Sequence, residues 1–117
     1  MPKKLTPSSR GTFNLAARAQ HDVREIWAYI AEKSPVSADK LITELFGKFQ
    51  LLADNPELGR IRNEFLLDLR SFPVKKYLIF YIPSETGIEI FRIIHSARNI
   101  EGIFEDFFSD LESSENQ

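Results

Sequence analysis

The chain has 117 residues, 43% of them hydrophobic and 27% charged, with no cysteine and a formal net charge of −2. These values fit one globular domain with a single core, and they exclude a disulfide framework and thiolate chemistry. No apolar run approaches the roughly 20 residues of a membrane span, and the N-terminus lacks the apolar core of a signal peptide, so a cytoplasmic protein with no membrane association is expected.

Residues 1–11 are polar, with Pro2 and Pro7, and are expected to be poorly ordered. Phe13 and Leu15 alternate in a short first strand over Thr12–Ala16, at a sheet edge or next to one. Ala17–Lys33 has helical spacing: Ala19, Val23, Ile26 and Ile30 share a face, which Trp27 and Ala31 widen. Ser34-Pro35 is a strong N-terminal signal for a second helix, because proline at the first position gives up an N–H that had no partner there. Ala38, Leu41, Ile42, Leu45, Phe46, Phe49 and Leu52 form its apolar stripe, and it ends near Asp54-Asn55, ahead of Pro56. The short linker makes an αα-hairpin.

Residues 61–67 give mixed signals. Leu67–Ser71 alternates and opens a second strand, which should end or bulge at Phe72-Pro73. Val74–Ile82, apolar after its two lysines, and Ile88–Ile94 read as the central strands. The loop between them, Pro83–Gly87, ends on a glycine suited to positive φ. Asn99–Phe108 reads as a short terminal helix, and 109–117 as a frayed acidic tail. The expected fold class is therefore α+β, in the order β-α-α-β-β-β(-α). The helical hairpin packs on one face of a small, mainly antiparallel, twisted sheet of four strands. The domain spans 12–108. Val23, Ile26, Trp27, Ile30, Leu41, Leu45, Phe49, Leu52, Leu78 and Phe80 are expected in its core.

Charge is spread unevenly. Residues 60–98 carry 7 basic and 4 acidic side chains, whereas 99–117 carry 6 acidic and no basic ones. A mildly basic sheet half could meet an acidic partner. There is no phosphate loop and no nucleophile elbow. His21 and His95 lack further ligands at metal spacing, so neither metal nor cofactor is expected. His21 reads as a surface residue. His95-Ser96-Ala97-Arg98 falls where the last strand ends, a place that can present side chains rigidly. An imidazole and a guanidinium there could move a proton and hold an anion, or could simply cap the strand and pair with the last helix. By strict alternation Arg92 shares a face with Ile88, Ile90 and Ile94, while Phe91 and Ile93 face the other way. Arg92 is then either buried with a carboxylate or the basic centre of an open apolar groove on the uncovered face of the sheet.

Four segments together resemble one family: LAARAQHDVREIWAYIAEKSP (15–35), LADNPELGRIR (52–62), LRSFPVKKYLIFYIP (69–83) and IEIFRIIHSARNI (88–100). They are similar to the ParE branch of the ParE/RelE toxin superfamily, over about Phe13 to Phe104. That resemblance implies a helical hairpin on a small twisted sheet. It implies a bacterial type II toxin, of plasmid or chromosomal stabilisation modules, neutralised by a ParD-like antitoxin. Operator DNA would be reached only indirectly, through that antitoxin. The ParE branch implies inhibition of DNA gyrase by binding, with Arg70, Phe72, Tyr77, Arg92, His95 and Arg98 as candidate contacts to target or antitoxin. The RelE branch implies a metal-independent, ribosome-dependent mRNA endonuclease. That chemistry needs an acid, a cation for the phosphorane and a base. His95 could be the acid, and Arg70 or Arg98 the cation. Lys75, Lys76 or Glu64 would have to be the base, and none is convincing from the sequence. The sequence pI near 5.7 favours the non-enzymatic reading, since ribosomal RNA selects for strongly basic proteins.

Overall fold

The computed structural model describes residues 10–115. The elements are β1 (Thr12–Leu15), α1 (Ala17–Ala31), α2 (Pro35–Asp54), a 3-10 turn (Pro56–Leu58), β2 (Arg60–Ile61), β3 (Arg70–Val74), β4 (Tyr77–Pro83), β5 (Gly87–His95) and α3 (Ile100–Glu115). Most of the expected N-terminal segment lies outside the described residues. Its last residue is anchored: Gly11 N–H donates to Asp54 Oδ1 at 2.8 Å, and its carbonyl accepts from Gln50 Nε2 at 3.0 Å. Both helices of the hairpin start and stop within two residues of expectation. Ser34 caps α2 by accepting from Ser37 N–H at 3.1 Å, with Pro35 following it. Among the described residues no helix is long and apolar enough to cross a membrane.

The sheet has five strands in the order β1-β5-β4-β3-β2, not four. β1 runs parallel to β5, with Thr12 opposite Gly87 and Leu15 opposite Ile90, and the other pairings are antiparallel. The short β2 lies in the segment whose signals were mixed. The chain does not break at Phe72-Pro73. β3 runs through Pro73 and turns at Lys75-Lys76, with Val74 opposite Tyr77. Proline is tolerated there because β2 pairs only with Arg70 and Ser71, so the edge beyond them is open. Lys75 takes the left-handed conformation at φ 53, and Gly87 has no positive φ. Glycine is needed at 87 for another reason: a Cβ would strike the backbone of Thr12 on β1.

The hairpin covers one face of the sheet, as expected. Ile26, Leu41, Leu45, Phe49 and Leu52 pack there with Val74, Ile79, Tyr81, Ile88, Ile90 and Ile93. The other face is not bare. Phe104 of α3 packs with Leu69, Phe80 and Ile94, joined by Phe65 and Phe91. The ring of Phe65 stacks on Phe104 at 4.9 Å. Arg62 closes this layer, with its guanidinium 4.9 Å from the Phe65 centroid and bonded to Ser71 and Glu64. α3 is longer than expected and reaches Glu115. Leu78 and Phe80 therefore belong to the α3 side of the sheet, and Ile79 and Tyr81 lie under the hairpin. Trp27, expected in the core, is 40% exposed. Its indole N–H is held by Asp39 Oδ1 at 2.8 Å, which fixes the ring on the outer side of the hairpin.

β5 carries a bulge. Phe80 stands opposite Arg92 but Tyr81 stands opposite Ile90, so Phe91 is the extra residue. The side-chain phase inverts across it. Ile88 and Ile90 face the hairpin before the bulge, and Ile93 does so after it, while Phe91 and Ile94 face α3. The even alternation read through Arg92 fails for this reason. Past Ile90 the edge of β5 has no strand neighbour, because the chain has left β1 for α1. Asp22 of α1 takes that place and accepts Ile93 N–H at 2.9 Å. It also accepts from Arg92 Nε at 2.8 Å and from Arg92 Nη2 at 3.1 Å.

Tyr81 ties β4 to the turn after α2. Its hydroxyl donates to Pro56 O at 2.7 Å and accepts from Gly59 N–H at 2.8 Å, and the residue is fully buried. Tyr81→Phe leaves a buried N–H and a part-buried carbonyl without this partner, with an expected loss of about 1–3 kcal/mol in urea unfolding. Burial, first among its causes, raises the phenol above its ordinary value of 10.0. A raised value favours the protonated folded form, so this contribution is complete below the unfolded pKa and is lost as pH rises through the folded one. Wild-type stability is expected to fall through that alkaline window, and Tyr81→Phe to fall less steeply.

Candidate functional site

At the hairpin-tip end of the sheet, between the helices and the ends of β4 and β5, lies an open groove of about 930 Å³. Ile26, Ile30, Leu41, Tyr77 and Ile93 give it an apolar lining, and Tyr29, Lys40, Lys75, Lys76, His95 and Arg98 give it aromatic and basic character. The β3–β4 turn supplies the two lysines. The β5 terminus supplies His95 and, through a tight turn, Arg98. That turn is held by Ser96 N–H donating to Lys76 O at 2.8 Å and Arg98 N–H donating to His95 O at 3.0 Å. The Nδ1 of His95 accepts Ala97 N–H at 3.0 Å, so the neutral ring carries its proton on Nε2. Tyr77 meets the imidazole edge-on, with centroids 5.2 Å apart. Burial first, and then the neighbouring Tyr29, hold the Tyr77 phenol above its ordinary value. It therefore stays protonated near pH 7, where it can donate or accept a hydrogen bond. Lys75 lies 3.4 Å from Glu44.

Of the six residues singled out in the sequence, three meet here: Tyr77, His95 and Arg98. Arg70 lies elsewhere, with one Nη donating to Glu57 O at 3.1 Å and to Gly59 O at 2.8 Å. Phe72 is half-buried against the core under the hairpin. Arg92 is only 9% exposed, and Asp22 neutralises it, which settles the open alternative in favour of burial with a carboxylate. Glu64 is bound to Arg62 at 2.9 Å, away from the groove, and that hydrogen bond lowers its pKa. His21 is exposed, 3.2 Å from Glu25. Tyr29, Lys40 and Glu44 were missed. The available signal was spacing: Asp22, Ile26 and Tyr29 share a face of α1, so a large aromatic continues the face that meets β5.

The family model for the ParE toxin of the type II toxin–antitoxin system parDE matches residues 13–100. The chain belongs to the ParE toxin family. A curated relative, Toxin RelE2 of Caulobacter vibrioides, is 35% identical over 81 residues, covering 69% of this chain and 90% of that protein. Toxin RelE3 of the same organism is 28% identical over 83 residues, covering 70% and 90%. A solved chain titled as the chromosomal ParDE TA system from P. aeruginosa aligns at TM-score 0.62 with 18% identity, covering 75% of this chain and 98% of that one. At that identity the likeness carries the fold, which for this ParE-family chain is the hairpin-on-sheet arrangement described above. The matched span takes in the hairpin, all five strands and the turn through Arg98. Most of α3 lies beyond it.

Proposed function

We propose that this ParE-family toxin is neutralised by a cognate ParD-like antitoxin and acts by binding DNA gyrase, without catalysis of its own. The observation that carries this reading is the make-up of the groove, an apolar floor with hydrogen-bonding and cationic groups at its edge, the arrangement that takes up a peptide. Of the candidate bases, Glu64 is engaged with Arg62 away from the groove and Lys75 with Glu44, while Lys76 lines the groove. A second reading, a ribosome-dependent mRNA endonuclease, is supported by the names of the Caulobacter relatives and by His95, Lys76 and Arg98 lining one groove.

The deciding experiment sets a gyrase supercoiling and cleavage assay beside an in vitro translation assay, using the same purified toxin. Inhibited supercoiling with intact messenger RNA is expected. Cleaved ribosomal messenger RNA with untouched gyrase would transfer the function to the second reading. The antitoxin's C-terminal segment is proposed to fold into the groove on binding. The toxin's melting temperature is then expected to rise on titration with the antitoxin encoded beside it, by an amount that grows with antitoxin concentration. Unchanged melting at saturating antitoxin would count against this.

A further inference from the structure

α3 carries an apolar stripe at Ile100, Ile103, Phe104, Phe107, Phe108 and Leu111. The first part of it packs on the sheet, through Phe104 and Phe91 and through Phe107, 5.0 Å from Phe91. The stripe then continues past that cover, with Phe108 37% and Leu111 46% exposed. The flanks of the same helix are acidic and exposed at Glu101, Glu105, Asp106, Asp110 and Glu112. None of these five makes an ion pair among the described residues. The groove is the complement of this surface. Its interior is apolar, and Lys40, Lys76 and Arg98 line it with no acidic partner among the described residues. Its three acidic members each have a neighbour already: Asp22 pairs with Arg92, Glu44 lies 3.4 Å from Lys75, and Glu25 lies 3.2 Å from His21.

We propose that, in the absence of antitoxin, the overhanging end of α3 of one copy docks in the basic, apolar groove of a second copy. Phe108 and Leu111 enter between the hairpin and β5, and Asp106, Asp110 and Glu112 meet Lys40, Lys76 and Arg98. α3 lies against the opposite face of the sheet from the groove in its own copy, so the contact forms between copies. The surfaces are different patches, and a reciprocal exchange closes them into a twofold pair. Charge steers the approach and apolar burial holds it. Dimerisation then occludes the groove that the antitoxin or target would use. The inference concerns the free chain alone, so its failure leaves the proposed target and antitoxin untouched.

The test is sedimentation equilibrium of the full chain, without antitoxin, at low and high salt. At low salt a concentration-dependent species of twice the 13.5 kDa chain mass is expected, weakening at least tenfold at high salt. Lys40→Glu/Lys76→Glu and Asp106→Lys/Asp110→Lys are each expected to be monomeric, and their mixture to restore a dimer. Phe108→Ser/Leu111→Ser should also be monomeric. All of these positions are solvent-exposed, and circular dichroism checks that each variant is folded. A wild type that stays monomeric at every concentration overturns the proposal. So does a dimer that survives both the groove and the helix variants, or charge-reversed partners that fail to associate.

Discussion

Asp22→Ala is expected to destabilise the protein by about 3–5 kcal/mol, because it strands the guanidinium of Arg92 inside the fold. Natural domains have only about 5–15 kcal/mol in hand, so the variant should sit near the limit of folding at 37 °C. Asp22 does two jobs: it neutralises Arg92 in a two-bond pair, and it accepts the Ile93 N–H that no strand reaches. Arg18, 3.9 Å away and largely exposed, should add little. Two further variants separate the jobs. Asp22→Asn keeps an acceptor for Ile93 but loses the charge, and should still be strongly destabilised. Asp22→Leu with Arg92→Met removes both charges and should cost less than Asp22→Ala, since a paired buried charge is often replaceable by well-packed apolar groups. Urea midpoints at unchanged m-value measure all three. A loss below about 1 kcal/mol for Asp22→Ala would show that water reaches Arg92 and that the pair does not anchor the bulge.

His95→Gln is expected to leave the toxin toxic, with activity reduced a few-fold at most. Glutamine keeps hydrogen-bonding capacity and removes acid–base chemistry. If His95 moved a proton, the loss would be roughly 10²–10⁴-fold, the usual worth of general acid–base catalysis. The two outcomes are far enough apart to be read from growth inhibition on induced expression at matched protein levels. Arg98→Ala should weaken either activity and does not discriminate. An SOS response with intact bulk messenger RNA should accompany both wild type and His95→Gln. A folded, non-toxic His95→Gln, together with cleavage of ribosomal messenger RNA by wild type, would establish the nuclease.

The helices were legible because their evidence is local. Ser34-Pro35 specifies a start whatever lies around it, and the stripe from Ala38 to Leu52 repeats often enough to define a face. The strands were legible as segments but not as faces. One extra residue at Phe91 inverts everything after it, and nothing in IEIFRIIH announces where that residue falls. The turn at Lys75-Lys76 lacks the usual glycine or asparagine, so the proline beside it reads as the stronger break. The second face of the sheet looked open because nothing local says where α3 docks, and its phenylalanines had no visible partner in the sequence. The groove was half legible. Tyr77, His95 and Arg98 cluster near strand ends in the sequence itself. Tyr29 and Lys40 reach the same place only through the crossing of the hairpin over the sheet. Arg70 and Arg92 looked available because a guanidinium is usually solvated. Their partners, backbone carbonyls near Gly59 and a carboxylate 70 positions away, were beyond local reading.

The parallel pairing of β1 with β5 has a consequence for how the toxin comes into being. The hairpin is made of neighbours and can form as soon as it is synthesised, whereas β1 waits for a partner 75 positions downstream. Until Gly87–Ile90 exist, the first strand has no ladder to join and the apolar face of the hairpin has no complete sheet beneath it. A nascent or prematurely terminated chain therefore cannot assemble the groove, whose wall depends on the end of β5. For most of its own translation the chain has no complete groove, and the last strand to emerge supplies the missing wall.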